Sequence, residues 1–308
     1  MKTTSRGQRE GTRRVLLKKK EVVGAIAVAA VFLGVSLAGW ALIGDAAWFV
    51  ALSAVLVVLL LSQADIFRRV QHSIKRELQE FWRPEYRQLE SLFSLFSVMN
   101  LHDPLPPMRA WAVSPDFANV IVSLIREVRP RTIVEAGTGV STLIAGYCLR
   151  AQGEGQCLSL EHDETYASIS SRNVEKHGLE RHVNVAHARL VEVEVRGQRW
   201  LWYSPAVLEG ITSVDMVIVD GPPGYVQDLA RYPALPLLFD RLTDKAVVVI
   251  DDCNRQEEKA IVERWLKEYP FFSLETLDTE RGAVVLRRYE PGLERRGSEA
   301  LAASLRSG

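Results

Sequence analysis

Charge bias, a cysteine framework and the third glycine of a dinucleotide fingerprint are all missing from this sequence. Lys plus Arg number 38 and Asp plus Glu also number 38, so the formal net charge is zero. Nothing global therefore marks nucleic acid as a partner. Only three cysteines occur, Cys148, Cys157 and Cys253, an odd and scattered set. They form neither a disulfide pattern nor a metal-binding spacing, and they fit a reduced compartment. No internal repeat is present. A chain of 308 residues holds roughly two domains' worth of material.

Charge is also missing locally, and there its absence is informative. Val22 to Ile43 carries none over 22 residues, and Ala46 to Ala64 carries none over 19. Each run is long enough to cross a hydrocarbon core. Only Gly44 and Asp45 separate them, which predicts a transmembrane helical hairpin with a very short outer turn. A signal peptide followed by a buried helix fits less well, because the first run exceeds an h-region and a second span follows at once. Lys2, Arg6, Arg9, Arg13, Arg14, Lys18, Lys19 and Lys20 precede the hairpin, and Arg68, Arg69, Lys75 and Arg76 follow it. Basic flanks on both sides predict that both ends lie in the cytoplasm, with the chain multi-pass in the inner membrane.

The organisation then reads as five segments. These are a basic cytoplasmic N-terminus (1–21), the hairpin (22–64), amphipathic juxtamembrane helices with a linker (65–107), a soluble domain (108–288) and a flexible polar tail (289–308). In the juxtamembrane part Ile66, Val70, Ile74 and Leu78 recur at helical spacing, and Pro84 is expected to interrupt the helix. Leu89, Leu92, Phe93, Phe96 and Met99 continue the apolar pattern. Three roles are open to it: a membrane-surface helix, a homodimer contact, or a stalk packed on its own domain. The prolines of His102–Pro107 mark a linker.

Beyond the linker the pattern alternates. Ser114 and Pro115 open a helix as N-cap and first helical residue. Apolar strands follow in "RTIVEA", "QCLSLE", "HVNVAHA", "VDMVIVD" and "KAVVVID", separated by helix-like stretches. Such near-continuous apolar strands with crossovers imply an α/β fold with a parallel sheet covered on both faces. "FFSLETLD" and "GAVVLRR", joined by a short turn, add an antiparallel C-terminal hairpin.

The chemistry gathers at strand ends. In "EAGTGVST", Gly137 and Gly139 allow a tight turn and close backbone approach to a ligand after the first strand, with Ser141 opening the next helix. Thr142 stands where the dinucleotide fingerprint has its third glycine. Glu161 ends the second strand, 22 residues past Gly139, where an acid accepts hydrogen bonds from ribose hydroxyls. That spacing suits NAD and S-adenosylmethionine alike. Glu135, ending the first strand, favours the second, since it meets a methionine ammonium and repels a pyrophosphate.

Together Glu135-x-Gly137-x-Gly139, Glu161 and the acid of "VDMVIVDGPPG" resemble a class I S-adenosylmethionine-dependent methyltransferase. Ser114 to Arg288 is covered by the resemblance. "EHDETYA" and the "VDMVIVD … VVVIDD" pair are similar to the catechol O-methyltransferase-like branch. The resemblance implies a Rossmann-like methyltransferase fold whose sixth and seventh strands are the terminal hairpin. It implies S-adenosylmethionine bound by Glu135, Gly137, Gly139, Ser141, Glu161, His162, Ala188 and Asp220, with His187 beside the adenine. It also implies a divalent metal, Mg2+, on Asp220, Asp251 and Asp252, which are then the catalytic residues as well. The sequence departs from the branch at two points: Asp252 replaces its amide, and Pro222 and Pro223 stand where its lysine base would be. As an alternative to metal binding, Asp252 or Asn254 caps the following helix.

Tyr225, Arg231 and Tyr232 are candidates for an acceptor lid, and Trp202 and Tyr203 read as core. The resulting expectation is a membrane-anchored methyltransferase acting on oxygen of a small or envelope-related acceptor, such as a lipid- or glycan-linked molecule. The alternatives are an NAD-type oxidoreductase and a non-catalytic scaffold that keeps the fold.

Overall fold

The computed structural model describes residues 30–41, 45–108 and 112–289. The basic N-terminus, the start of the first apolar run, the turn at 42–44 and the tail from 290 lie outside the described residues. Two helices cover the rest of the apolar region, α1 (Ala30–Ala41) and α2 (Asp45–Val98). Within α2, Trp48–Leu78 is long and apolar enough to cross a membrane, whereas α1 as described is shorter than a span. Among the described residues there is thus one such helix rather than the two expected.

Pro84 does not break α2, which runs through it. A proline inside a helix forfeits one i→i−4 hydrogen bond and crowds the preceding turn, and this helix absorbs that loss. The chain divides into two compact units, one up to Phe81 and one from Trp82. In the second unit the last turns of α2 are anchored on the domain: Leu95 is fully buried, and Asn119 Nδ2 donates to the Ser91 carbonyl at 2.7 Å.

The second unit then proceeds as α3 (Pro115–Val128), β1 (Thr132–Ala136), α4 (Val140–Gln152), β2 (Gln156–Glu161), α5 (Glu164–Lys176) and β3 (Val183–His187). A hairpin follows, β4 (Leu190–Val195) and β5 (Gln198–Tyr203), and then β6 (Val214–Val219) and a short α6 (Ala234–Leu238). β7 (Leu242–Ile250), α7 (Gln256–Glu268), β8 (Phe272–Leu277) and β9 (Ala283–Arg288) complete it. Seven strands form one sheet in the order β3-β2-β1-β6-β7-β9-β8. Its first five are parallel, and β9 pairs antiparallel with both β7 and β8. This is the mostly parallel, Rossmann-like sheet with an antiparallel terminal hairpin that the strand pattern predicts.

Period-two alternation sorts the strands' side chains onto two cores. Ile133, Met216, Ile218, Val247 and Val249 join Phe117, Ile121 and Leu143 on the face covered by α3 and α4. Val134, Val217, Val219, Val248 and Ile250 join Trp202, Leu235 and Trp265 on the face covered by the β4–β5 hairpin, α6 and α7. Each fully buried aliphatic side chain stabilises the sheet by about 1.5–3 kcal/mol.

The hairpin is an element the strand reading does not contain. β4 and β5 form a separate two-stranded sheet, with Arg196 and Gly197 both at positive φ in the turn. Parallel strands carry their carboxyl ends to one edge, so Ala136, Glu161, His187, Val219 and Ile250 finish together there. That edge is where ligands collect in open α/β sheets.

Candidate active site

The first half of the site is built at the ends of β1 and β2. Register pairs Glu135 with Ser159, which sets a carboxylate against a hydroxyl inside the sheet. Ser159 Oγ donates to Glu135 Oε2, and Thr142 Oγ1 donates to the same oxygen at 2.6 Å. Thr142 in turn accepts from the Gly139 amide at 3.0 Å, which ties the carboxylate to the first turn of α4. Glu135 is fully buried, and its other oxygen, Oε1, has no hydrogen-bond partner. Burial raises its pKa to about 7 against the opposing effect of the Ser141, Ser159 and Thr142 hydroxyls.

The turn behaves as a cradle. Gly137 has φ +107, open to glycine at little cost and strained for any side chain, and its Cβ position lies 3.4 Å from the Gly221 amide and 3.5 Å from the Asp220 carbonyl carbon. At Gly139 an added Cβ would meet no atom within 4 Å, so open space adjoins the backbone where a ligand would approach.

Glu161, also buried, accepts from Thr138 Oγ1 at 2.9 Å and from the amides of His162 and Asp163 at 2.8 and 3.0 Å. His162 Nδ1 lies 2.9 Å from Glu161 Oε1, and His187 Nε2 donates to the His162 carbonyl at 3.2 Å. Ala188 is fully buried, its amide donating to the Glu161 carbonyl at 2.7 Å. An orphaned acceptor, an open cradle and an acid at the end of β2 are what an adenosyl amino-acid cofactor needs. The residues present fit S-adenosylmethionine.

The second half lies at the ends of β6 and β7. Asp220, Asp251 and Asp252 gather there as the sequence predicts, but they do not meet around open space. Arg231, whose side chain is 5 % exposed, stands among them. Its Nη2 donates to Asp252 Oδ2 at 2.7 Å and Asp220 Oδ1 at 3.2 Å, and its Nη1 donates to the Asp251 carbonyl at 3.0 Å. Glu258 Oε1 lies 3.8 Å from Nη1, and Arg255 Nη1 lies 3.0 Å from Asp252 Oδ2. Among the described residues no His, Cys, Asp and Glu group of three or more is arranged to hold a metal ion. Magnesium demands near-octahedral oxygens at about 2.0–2.1 Å, and here a planar guanidinium fills the space between the carboxylates. The residues present do not fit the metal that the family resemblance implies.

Burial raises the pKa of Asp220 to about 6, with Arg231 pulling it down and Asp252 pushing it up. Asp251 is raised to about 7, by burial first and the Asp220 charge second, and neither of its carboxylate oxygens has a hydrogen-bond partner. Asp252 sits at φ +66, a conformation a non-glycine residue holds only when its surroundings fix it. Neither Asp252 nor Asn254 caps α7; Arg255 occupies the N-cap position and makes no side-chain cap.

The expected lid residues part company. Tyr225 is exposed, while Arg231 and Tyr232 are buried. Tyr203, read from sequence as core, is buried and yet belongs to the site's border: a side chain at Gly221 would collide with its hydroxyl. Its ring also meets His162 edge-on, with centroids 6.3 Å apart. Ser159 escaped the sequence reading, and Thr142 entered it only as the residue in place of a third glycine. The signal for Ser159 was a lone hydroxyl in an apolar strand, directly in register with an acid.

No curated protein matches the chain. Solved structures do. The O-methyltransferase TomG from Streptomyces achromogenes, in complex with S-adenosylmethionine, is 16% identical over 69% of this chain and 99% of its own, with a TM-score of 0.46. An O-methyltransferase from Bacillus cereus in complex with S-adenosylhomocysteine is 17% identical over 70% of this chain and 97% of its own, with a TM-score of 0.44. The methyltransferase PaMTH1 of Podospora anserina is 15% identical over 66% of this chain and 88% of its own, with a TM-score of 0.45. Residues 134–253 match the family model of a methyltransferase domain, and that segment contains Glu135, Glu161, Asp220, Arg231 and Asp252.

Proposed function

We propose that this chain is an S-adenosylmethionine-dependent O-methyltransferase, anchored in the membrane and acting in the cytoplasm on a small or envelope-related acceptor. The observation that carries the reading is the cradle at Gly137–Gly139, flanked by the orphaned Glu135 Oε1 and by Glu161, and opening toward Asp220. The match of residues 134–253 to a methyltransferase domain supports it. The apolar stretch Trp48–Leu78 and the basic residues beside it support the anchor.

When bound, S-adenosylmethionine supplies an electrophilic methyl group on sulfonium. The protein's part is to position and to move a proton. Glu161 orients the ribose, Gly139 admits the ligand to backbone contact, and Glu135 Oε1 accepts from the methionine ammonium. His162, Ser141 and Ala188 complete the walls. Asp220, next to the cradle, is the general base: it would take the proton of an acceptor hydroxyl to which the bound cofactor would supply its methyl group. A carboxyl raised to about 6 is ionised at neutral pH and is a stronger base than an ordinary aspartate. The remaining rate enhancement comes from alignment of donor and acceptor.

Calorimetric titration of the detergent-solubilised chain tests the cofactor assignment. Saturable binding of S-adenosylmethionine, and none of NAD, is expected. The reverse preference removes the reading. Reporter fusions at the N-terminus and after Arg76 should both report cytoplasm, and an external signal from either removes the orientation. Comparing the metabolites and lipids of a deletion strain with wild type should identify the acceptor as a species lacking one methyl group.

A further inference from the structure

The acceptor half of the site raises a question of its own, because four carboxylates gather there, Asp251, Asp252 and Glu258 buried and Asp220 partly so. Asp220, Asp251, Asp252 and Glu258 are all at the ends of β6 and β7 or on the first turn of α7. Such a group is expected to collect a divalent cation, since hard oxygen ligands of like charge otherwise repel. What it has collected is one enclosed guanidinium, the half-exposed Arg255 and the charge of Arg281, which also acts on Asp220.

Arg231 is not a loose side chain that happens to fall inward. The segment that carries it is pinned on either side. Leu229 is held at φ +53, and the Tyr232 amide donates to its carbonyl at 2.9 Å. The Tyr232 hydroxyl donates to Glu268 Oε2 at 2.6 Å, and its carbonyl accepts from Trp265 Nε1 at 2.8 Å. The Arg264 guanidinium covers the Tyr232 ring at 3.9 Å. With its neighbours fixed on α7, Arg231 has no inexpensive route out of the cluster. Arginine also cannot discharge itself by losing a proton, so the cation is permanent.

We infer that Arg231 is a resident, covalently attached substitute for a divalent cation. It holds Asp220 and Asp252 in place, and the protein binds no divalent metal at these carboxylates while Arg231 is there. Arg231 is a positioning residue: it acts on the acceptor through Asp220, and its Nη1 and Nη2 donate to protein oxygens while Nε has no hydrogen-bond partner. That role in transfer rests on the methyltransferase reading. The exclusion of metal does not, because it follows from the charge and packing of the cluster alone.

The experiment is therefore metal binding, read separately from activity. The purified full chain, stripped with chelator, is titrated with Mn2+ and followed by electron paramagnetic resonance and thermal unfolding. Wild type should show no saturable site. Arg231→Met should acquire one Mn2+ per chain, with affinity at least about tenfold above wild type, and the ion should raise its unfolding temperature. Adding Asp252→Asn to that variant should remove the gain. Arg231→Lys keeps a cation in the cluster and should gain no metal. If Arg231→Met is unstable alone, Mn2+ should restore its fold. A saturable Mn2+ site in wild type that disappears with Asp252→Asn overturns the proposal. So does an Arg231→Met protein that neither binds nor is rescued by the ion. Should cofactor binding fail while these metal results hold, the methyltransferase reading falls and the substitution of arginine for metal stands.

Discussion

The ends of β1 and β2 and the ends of β6 and β7 face the same physical problem and meet it differently. At the first pair, Glu135 and Glu161 are buried among the hydroxyls of Ser159, Thr142 and Thr138, two backbone amides and the His162 ring, with no arginine or lysine among these partners. At the second pair, Asp220 and Asp252 are held by a buried guanidinium. Neutral donors leave charge capacity unspent, as at Glu135 Oε1, and so leave an attachment point for a cationic ligand. A buried guanidinium occupies one oxygen each of Asp220 and Asp252 and, although both Asp251 oxygens have no hydrogen-bond partner, sets a permanent positive charge among the carboxylates that opposes a further cation. The contrast teaches that the donor side is built to receive positive charge and the acceptor side already contains it.

The largest expected effect removes the cation. Arg231→Met leaves buried carboxylates uncompensated and should lower stability by about 3–5 kcal/mol, the usual consequence of breaking a buried ion pair from one side. Denaturant unfolding of the solubilised chain at low divalent concentration measures it. A loss under about 1 kcal/mol would put Arg231 in the class of exposed pairs and erase the contrast.

Next comes Glu161→Ala, which should weaken S-adenosylmethionine binding by about 1.5–3 kcal/mol through loss of a charged acceptor. Calorimetry showing wild-type affinity would move the ribose elsewhere. Gly137 is a poorer probe, because at φ +107 a side chain strains the backbone whether or not a ligand is bound.

A pH series sharpens the comparison from another side. The folded-state values of Glu135, Asp251 and Asp220, about 7, 7 and 6, all lie above those of free carboxyls. Between the unfolded and folded values the native chain binds more protons, so stability should fall as pH rises from about 4 to about 7. Turnover should run the opposite way, declining below about pH 6 as Asp220 gains its proton. Unfolding temperature and rate, measured across the same buffers, should cross. Parallel curves would remove Asp220 as the base.

The smallest effect is expected at Glu135→Gln. The amide oxygen can still accept from Thr142 and Ser159, so stability at pH 7 should change by no more than about 1 kcal/mol. Cofactor affinity should drop by more than stability does, since the attachment point for the ammonium is gone. An unchanged affinity would mean that Oε1 does not face the ligand.

Much of this was legible in the sequence because it is written in short periods. All seven main-sheet strands coincide with the apolar runs, and Gly137, Glu161 and Asp220 fall at strand ends as their motifs require. The β4–β5 hairpin was also legible, with Val193 and Val195 inward, Glu192 and Glu194 outward and Arg-Gly at the turn, yet it lies outside the strand–helix rhythm and went unread. Arg231 was not legible in the same way. Eleven positions separate it from Asp220, and nothing local says that an arginine between apolar residues turns inward. Only the anchoring of Tyr232 on α7 decides it, and that is a tertiary fact. Pro84 failed as a helix stop because propensity is a local cost that a long helix can absorb.

The position of β9 has a consequence for how such a chain is made. Ala283–Arg288 lies between β7 and β8, pairing Val284–Arg287 with Val247–Ile250 on one side and with Ser273–Thr276 on the other. During synthesis the parallel strands emerge first, and β7 keeps an open edge until the ribosome has delivered residue 288. Through that interval the nascent domain exposes an unpaired strand with three consecutive valines, Val247 to Val249, the kind of edge that recruits other chains. Release of a stop-codon variant ending before Ala283 should accordingly yield aggregate or degradation products rather than a shortened soluble domain.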